Sequence, residues 1–583
     1  MSRKTLTNQQ IANIFLEIAK YLRADDVAFK PQAYEVAAEH ILSLQEDLSK
    51  TYRECGTKCI DAIPGIGESI AEKIEELVKT GSMKYYRELK KKYPFDMMAL
   101  TRIQEVGPKT AMELYRKLKI KTVHDLERAA KAGRVSKLAG FGKKSEEHIL
   151  QSIAFQKQNT GRRIIHEVLP LARSIVEKLS RVAGVTHVDF AGSIRRRKET
   201  IGDIDLIATT SKPKQLIETF KHLPEINRII EEGDTKMMVR YRSGLQGDLL
   251  ILKPAEYGSA LLHFTGSREH NILIRERAIN MGMKLSEHGL FRGSKCVASK
   301  TEEDVYRSLE LQMIPPEIRV GEDEIEVASQ HKIPELISYH DLKGDLQVQT
   351  NWSDGSHSIE EMAREAKHRG LSYIAVTDHT KSLTIANGLD EKRLRAQGKE
   401  IDRLNAHSKN FRILKSTECD IKKDGSLDLS DAALKSLDLV CVSIHSFFNM
   451  SEKEMTERVI RALKHPLVHI FFHPTGRVVL RRDAYKLDMT RVMKAAKEFH
   501  VALEVNGSDR LDLHETYVRQ AVGMGVKLVI DSDAHAPNEF DRLEYGIAQA
   551  RRGWAKKSDV LNTKSANELL KAFSKNHTIP RQK

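Results

Sequence analysis

The sequence predicts a multidomain protein: an all-α N-terminal region, an α+β region in the middle, and a C-terminal α/β region built on a parallel sheet or a (β/α) barrel. Three observations predict it. Residues 1 to about 155 carry apolar side chains at helical spacing, as at Ile11, Ile14, Phe15 and Ile18, punctuated by Gly- and Pro-containing turns. From about 165, a helical stretch (VLPLARSIVEKL) precedes the β-rich runs VTHVDFAGS, DIDLIATT, MMVRYR and GDLLIL. From about 338, strands such as LSYIAVTDH, LDLVCVSIH and VKLVIDSDAH alternate with helical stretches to the end. A chain of 583 residues is long enough for several such domains.

Composition narrows the partners. The formal net charge of +14 suits a polyanion such as nucleic acid. No apolar run is long enough to span a bilayer, and the N-terminal MSRKTLTNQQ lacks a signal-peptide core. We therefore expect a cytoplasmic, nucleoid-associated protein with no membrane partner. Cys55, Cys59, Cys296, Cys419 and Cys441 contain no CxxC pair, and free thiols are expected in a reducing compartment.

In the helical region three similar stretches occur: AIPGIGESIAEKI, RIQEVGPKTAMEL and KLAGFGKKSEEHI. Each has a glycine turn followed by a helix, whose free N–H groups and positive dipole end suit a phosphate oxygen. Gly65 and Gly67 in the first copy let the backbone come close to a ligand, and Gly107 in the second is a further candidate DNA-binding residue. Such a contact is independent of base sequence. The stretches resemble helix–hairpin–helix DNA-binding elements, although Glu105 replaces the first glycine of the second copy. The first also looks like the deoxyribose-phosphate lyase domain of family X DNA polymerases. That resemblance implies that Lys73 forms a Schiff base with an abasic sugar and that Lys30 and Tyr34 hold the 5′-phosphate. A further phosphate-binding lysine of the family is Ser69 here.

The middle region carries the most specific motif, VDFAGSIRRRKETIGDIDLI. A strand ends at Gly192 and Ser193, which can receive a phosphate at a helix N-terminus. Arg195 and Arg196 follow, and both can pair with phosphate oxygens. Asp203 and Asp205 sit two apart on a strand, so their carboxylates share one face. Asp248 in LQGDLLIL lies on a later strand that can run alongside, completing a set of three carboxylates for two Mg²⁺ or Mn²⁺ ions. This pattern resembles the nucleotidyltransferase palm of family X polymerases. The segment YGSALLHFTGSREHNILIRERA is similar to that family's nucleotide pocket, with His263 where the family has tyrosine. The resemblance implies that Phe264, Thr265 and Gly266 crowd the sugar 2′ position, that Asn271 contacts the incoming base, and that Arg275 contacts the template.

The resemblance covers residues 1 to about 318. It implies a lyase-like domain at 1–84, fingers at 85–160, palm at 161–255 and thumb at 256–318, acting as a monomer on gapped or nicked duplex DNA with deoxynucleoside triphosphates. Residues 319–337 read as a linker or docking segment, and 338–583 as the last domain.

In that last domain Asp354, His379, Glu418, His445, His473, Asp533 and His535 recur at strand ends. Nitrogen and oxygen ligands of this mix suit Zn²⁺ or Mn²⁺, and clustered ions serve phosphoester hydrolysis. The pattern resembles the polymerase and histidinol phosphatase (PHP) domain, which implies a distorted (β/α)7-type barrel with up to three metals and 3′→5′ exonuclease or 3′-end processing. The family's first HxH motif is Gln347 and Gln349 here. Amides are poor replacements for imidazole on these ions, so we expect the metal shared by that motif, Glu418 and Asp533 to bind weakly. Glu418, His445 and His473 are expected to hold a second ion, and Asp354, His379 and His535 a third. A terminal transferase, a small-molecule phosphatase and a non-catalytic DNA scaffold are the competing readings.

Overall fold

The computed structural model describes residues 6, 8–27, 30–43, 48–61, 63, 66–101, 103, 106–138, 140–158 and 161–574. It divides into two compact units, Met1–Thr160 and Gly161–Lys583.

The first unit is helical. The helix Asn8–Ala24 buries Ile11, Phe15, Ile18 and Leu22 on one face, and this stripe packs with Ile74, Leu100 and Leu114 into one core. The helix Glu68–Thr80 turns Ile70, Ala71, Ile74 and Leu77 inward. It stops at Gly81, whose φ of 70° lets its N–H reach back to the Leu77 carbonyl. The helix Val123–Lys131 begins with a reciprocal capping box between Thr122 and Asp125. One expectation fails here: Cys59 is disulfide-bonded, whereas Cys296, Cys419 and Cys441 are free.

In the second unit a five-stranded sheet runs in the order Val185–Phe190, Asp203–Thr210, Gln246–Leu252, Lys236–Tyr241, Ile226–Glu232. Asp203–Thr210 and Gln246–Leu252 pair in parallel, and the other pairs are antiparallel. Ile204, Leu206, Ala208, Leu249 and Ile251 point from the sheet into a core completed by the helices Ile165–Ser180 and Pro213–Lys221. The alternate residues, including the aspartates, are left for the opposite face.

Residues 256–318 hold, besides helices, a small antiparallel sheet of Lys284–Ser286, Gly289–Arg292 and Lys295–Ala298. Strands of three or four residues are too short to show alternation in sequence. The segment 319–337 is packed rather than a free linker. Arg319 and Glu324 are fully buried, and Ala328, Ile333 and Leu336 join the neighbouring apolar core. Arg319 Nη1 lies 2.5 Å from Glu302 Oε1, and Glu324 Oε1 meets His270 Nδ1 at 2.8 Å. Burial raises the Glu302 pKa, but Arg319 and Arg195 outweigh it and pull it down to about 2. Replacing Glu302 by alanine leaves two guanidinium groups uncompensated and is expected to cost about 3–5 kcal/mol. Because the folded pKa lies below the unfolded one, this stabilisation is present above pH ~4.5 and fades as pH falls toward 2. Denaturant melts of wild type and Glu302→Ala, compared at pH 7 and pH 3, check both points: the gap between them narrows in acid.

The C-terminal part of the unit holds parallel strands only. Gly344–Val348, Tyr373–Val376 and Arg412–Lys415 form one sheet. Glu418–Asp420, Cys441–Ser443, Ile470–Phe471, Ala502–Asn506 and Leu528–Asp531 form another. Isolated bridges His379↔Glu418 and Val348↔Ala534 join the two sheets. Leu346, Ala375, Leu414, Cys441, Ile470, Ala502 and Val529, one from each strand except Glu418–Asp420, meet in one cluster. This part is fastened to the five-stranded sheet region. Val479, Leu511 and Tyr545 join its core. Arg477 pairs with Glu199 at 2.7 Å, Arg173 with Glu544 at 2.5 Å, and His166 with Asp509 at 3.2 Å.

Candidate active sites

Parallel register brings the three sheet aspartates together. Asp205 and Asp248 are direct Cα partners on adjacent strands, and Asp203 pairs with Gln246 one step earlier on the same face. Burial, then the Asp203 and Asp248 charges, push the Asp205 pKa up to about 7. Burial likewise raises that of Asp248. Three carboxylates so close repel one another and favour a bound cation. Gly192 sits against them with φ of 55°, and a Cβ there would lie 2.1 Å from Asp205 Oδ2. Only glycine fits this position. Oδ1 of Asp248 and Oγ of Ser193 are buried without a hydrogen-bond partner among the described residues. An all-oxygen donor set with an unsatisfied carboxylate oxygen fits Mg²⁺ or Mn²⁺.

Beside the aspartates lies a pocket of about 600 Å³. Gly192, Ser193, Arg196, Asp203 and Asp205 line it, with His263, Phe264, Gly266 and Asn271 across from them. Burial, then the Arg552 charge, lower the Arg196 pKa to about 10, and its guanidinium also donates to the Thr265 carbonyl. Arg195 departs from expectation, because it does not line the pocket. Its Nη2 meets Glu302 Oε2 at 2.6 Å and its Nη1 donates to Thr265 Oγ1 at 2.6 Å. One position along a short helix turns a side chain by about 100°, so neighbouring arginines face different ways. Asn271 Nδ2 donates to the His263 carbonyl at 2.7 Å, and Arg275 Nη2 donates to His263 Nδ1 at 2.9 Å, outside the pocket lining. Arg162, Lys198 and Arg268 add positive charge to the wall, as does Arg552 from the C-terminal part. The RRRK run held a signal for Lys198; nothing local in sequence marked Arg552.

In the helical unit Lys73 is half-buried. Its Nζ donates to Ser69 O at 2.7 Å and to Ser69 Oγ at 2.8 Å, and lies 6.0 Å from the centre of the Tyr34 ring. Burial lowers its pKa, and the nearby Lys30 adds to the effect. Gly67 and Gly107 stand at the N-termini of Glu68–Thr80 and Pro108–Leu118, neither helix having a side-chain cap. Gly65 and Glu105 lie outside the described residues.

At the strand ends of the C-terminal part, two sets of three ligands form, each with donor atoms within 4.8 Å of one another: Asp354, His379 and His535, and His379, Glu418 and His445. Glu418 Oε1 lies 3.1 Å from His445 Nε2 and 2.8 Å from His473 Nε2. His379 stands with Glu418 and His445 in one of these sets, and His473 adjoins the same Glu418 oxygen as His445. Burial and Arg510 lower the His473 pKa to about 4, so it stands as a neutral partner of Glu418. The two glutamines do not fit a metal as they stand. Gln347 Nε2 and Gln349 Nε2 both donate to Glu418 Oε2, at 3.2 and 2.8 Å. Asn506 Nδ2 closes the network on Gln347 Oε1 at 2.9 Å and approaches Asp533 Oδ2 at 3.3 Å. Amide N–H groups occupy the carboxylate lone pairs a cation needs.

Known proteins share these features. Family models match a helix-hairpin-helix domain at residues 6–83 and a SAM-like helix-hairpin-helix tandem at 97–154. Others match a DNA polymerase beta thumb at 260–320 and a PHP domain at 345–508. The chain is 36% identical over 575 residues to the DNA polymerase/3'-5' exonuclease PolX of Bacillus subtilis (strain 168), covering 97% of this chain and 99% of that protein. A probable phosphatase of Thermoanaerobacter sp. (strain X514) is 30% identical over 237 residues, covering 38% of this chain and 91% of that protein. With the aspartates, the hairpin helices and the histidine cluster in one chain, and a relative aligned over nearly all of it, this protein belongs to the family X DNA polymerases that carry a C-terminal PHP domain.

Proposed function

We propose that the protein is a DNA-directed DNA polymerase that fills short gaps during repair, by nucleotidyl transfer at Asp203, Asp205 and Asp248. The observation that carries this reading is the in-register pairing of Asp205 with Asp248 beside an arginine-lined pocket. Residues 161–255 act as palm, 256–318 as thumb, 85–160 as fingers and 1–84 as the DNA-gripping lyase-like domain. Two Mg²⁺ or Mn²⁺ ions held by the three aspartates would lower the pKa of the primer 3′-hydroxyl and neutralise the triphosphate and leaving pyrophosphate. Ser193 and the helix N-terminus at Gly192 hold phosphate, and Arg196 pairs with it. Phe264 and Gly266 bound the sugar, Asn271 meets the base, and Arg275 orients His263 toward the template side. The hairpins at Gly67 and Gly107 bind the DNA backbone without reading sequence. Primer extension on a duplex with a one-nucleotide gap tests the reading. Templated insertion by the wild type, absent without a templating base and absent in Asp203→Ala, is expected; untemplated addition would move the protein to the terminal transferases.

The C-terminal strands, with Arg412–Lys415 and Glu418–Asp420 counted as one broken strand, form a distorted (β/α)7-type barrel. The Bacillus relative is named as a 3'-5' exonuclease as well as a polymerase. Here His379, Glu418, His445, Asp354 and His535 are the residues that would hold Mn²⁺ or Zn²⁺, which activates water for phosphodiester hydrolysis. The Gln347/Gln349 network leaves that nuclease with fewer ions and a reduced rate. In the helical unit, the lowered pKa of Lys73 favours the free amine that an imine requires. Borohydride trapping on a 5′-deoxyribose-phosphate end should give an adduct that Lys73→Ala lacks; equal adducts from both proteins would end the lyase reading.

A further inference from the structure

We propose that Arg552, in the PHP domain, is a positioning residue for the incoming nucleotide: it neutralises Glu515 on the pocket wall and braces the main chain of Arg196, so that the barrel completes the polymerase's triphosphate site. This rests on the polymerase reading above.

The geometry is specific. Arg552 ends the helix Leu543–Arg552, and its side chain is 2% exposed. Its Nη2 donates to Glu515 Oε1 at 2.5 Å, and its Nη1 donates to the Arg196 carbonyl at 2.9 Å. Glu515, His514 and Arg552 line the same pocket as Gly192, Ser193 and Arg196, although more than three hundred residues separate the two groups in sequence. Glu515 is the problem this arrangement solves. A carboxylate facing a polyanion pocket repels a triphosphate, and its Oε2 meets His514 Nε2 at 3.0 Å and Gln549 Nε2 at 3.4 Å. Arg552 keeps it ionised and paired: burial alone would raise the Glu515 pKa, yet Arg552 and then His514 hold it down at about 2. Apart from the aspartates, the wall has one more carboxylate, Glu199, which is matched in the same way by Arg477 of the barrel at 2.7 Å. Both acids of the Glu199–His514–Glu515 cluster are therefore engaged by arginine, which speaks against a cation there. The hydrogen bond to the Arg196 carbonyl fixes the turn after Gly192 and Ser193, and so the direction from which the Arg196 guanidinium meets phosphate.

Arg552 acts through Glu515 and Arg196, so its loss falls on nucleotide binding more than on chemistry. The test uses the full chain, a duplex with a one-nucleotide gap and Mg²⁺, with the deoxynucleoside triphosphate varied. Arg552→Met should raise KM for the nucleotide by about tenfold with a smaller change in kcat, and Arg552→Lys should lie between it and wild type. Arg552→Met combined with Glu515→Gln should recover most of the lost affinity, because the exposed charge has gone. Recovery by a second substitution separates masking of Glu515 from general damage. Melting curves accompany each variant, and if Arg552→Met does not fold, Arg552→Lys with and without Glu515→Gln makes the same comparison. A wild-type KM in the Arg552 variants, or a double variant as weak as the single, would overturn the proposal. A wild type that inserts no nucleotide would instead remove the polymerase reading itself.

Discussion

Replacing Asp205 by alanine is expected to lower nucleotide insertion by at least about 10³-fold, equivalent to ~4 kcal/mol of transition-state stabilisation. Asp205 is the middle member of the three carboxylates. It is two residues from Asp203 on one strand and directly opposite Asp248 on the next. On the polymerase reading Asp203 and Asp205 would both hold the two cations, with Asp248 on the primer-hydroxyl side, so the loss of Asp205 would remove a carboxylate from the middle of the set. The same substitution should not harm the fold. Asp205 is held at a pKa of about 7 by burial and by its acidic neighbours, so it is a source of repulsion in the metal-free protein. Asp205→Ala is expected to melt at or above the wild-type temperature while single-turnover insertion collapses. A variant that lost activity by unfolding would show the reverse order in the two measurements.

The second large effect is a gain. Gln347→His with Gln349→His is expected to raise Mn²⁺-dependent 3′→5′ degradation of a labelled primer by about 10–100-fold, and to add a bound ion per chain. Both glutamines are fully buried and spend their amide protons on one oxygen of Glu418. Imidazoles at these positions replace two donors with two metal ligands, and Glu418 and Asp533 then face a cation instead of amides. His445→Ala in the double variant should return the rate to background. An unchanged metal content together with an unchanged rate would mean that the amide network is not what limits the nuclease.

Much of this was legible in the sequence because the determining signals are local. Alternating strands put Asp203 and Asp205 on one face, and a short helix start put Ser193 beside them. The candidate ligands at the C-terminal strand ends stood out because most follow an apolar run. What was not legible depends on contacts between distant segments. Arg195 and Arg196 are adjacent and chemically equal in sequence, and only the burial of Glu302 under Arg319 shows which of them is committed to the thumb. The segment 319–337 is rich in acids and reads as a linker or docking segment, yet Arg319 and Glu324 find buried partners contributed by residues 270 and 302. The pairing of His379 with both Asp354 and Glu418 needs the closing of one strand on another. The contribution of Arg552 to the nucleotide pocket needs the packing of two domains.

The most direct measurement is anomalous diffraction at the manganese edge, from crystals of the full chain with a gapped duplex and a non-hydrolysable deoxynucleoside triphosphate. Two manganese peaks bounded by Asp203, Asp205 and Asp248, with the phosphates against Ser193 and Arg196, are the expected outcome. A triphosphate seated elsewhere, or manganese found in the C-terminal histidine cluster but not against Asp248, would contradict the account.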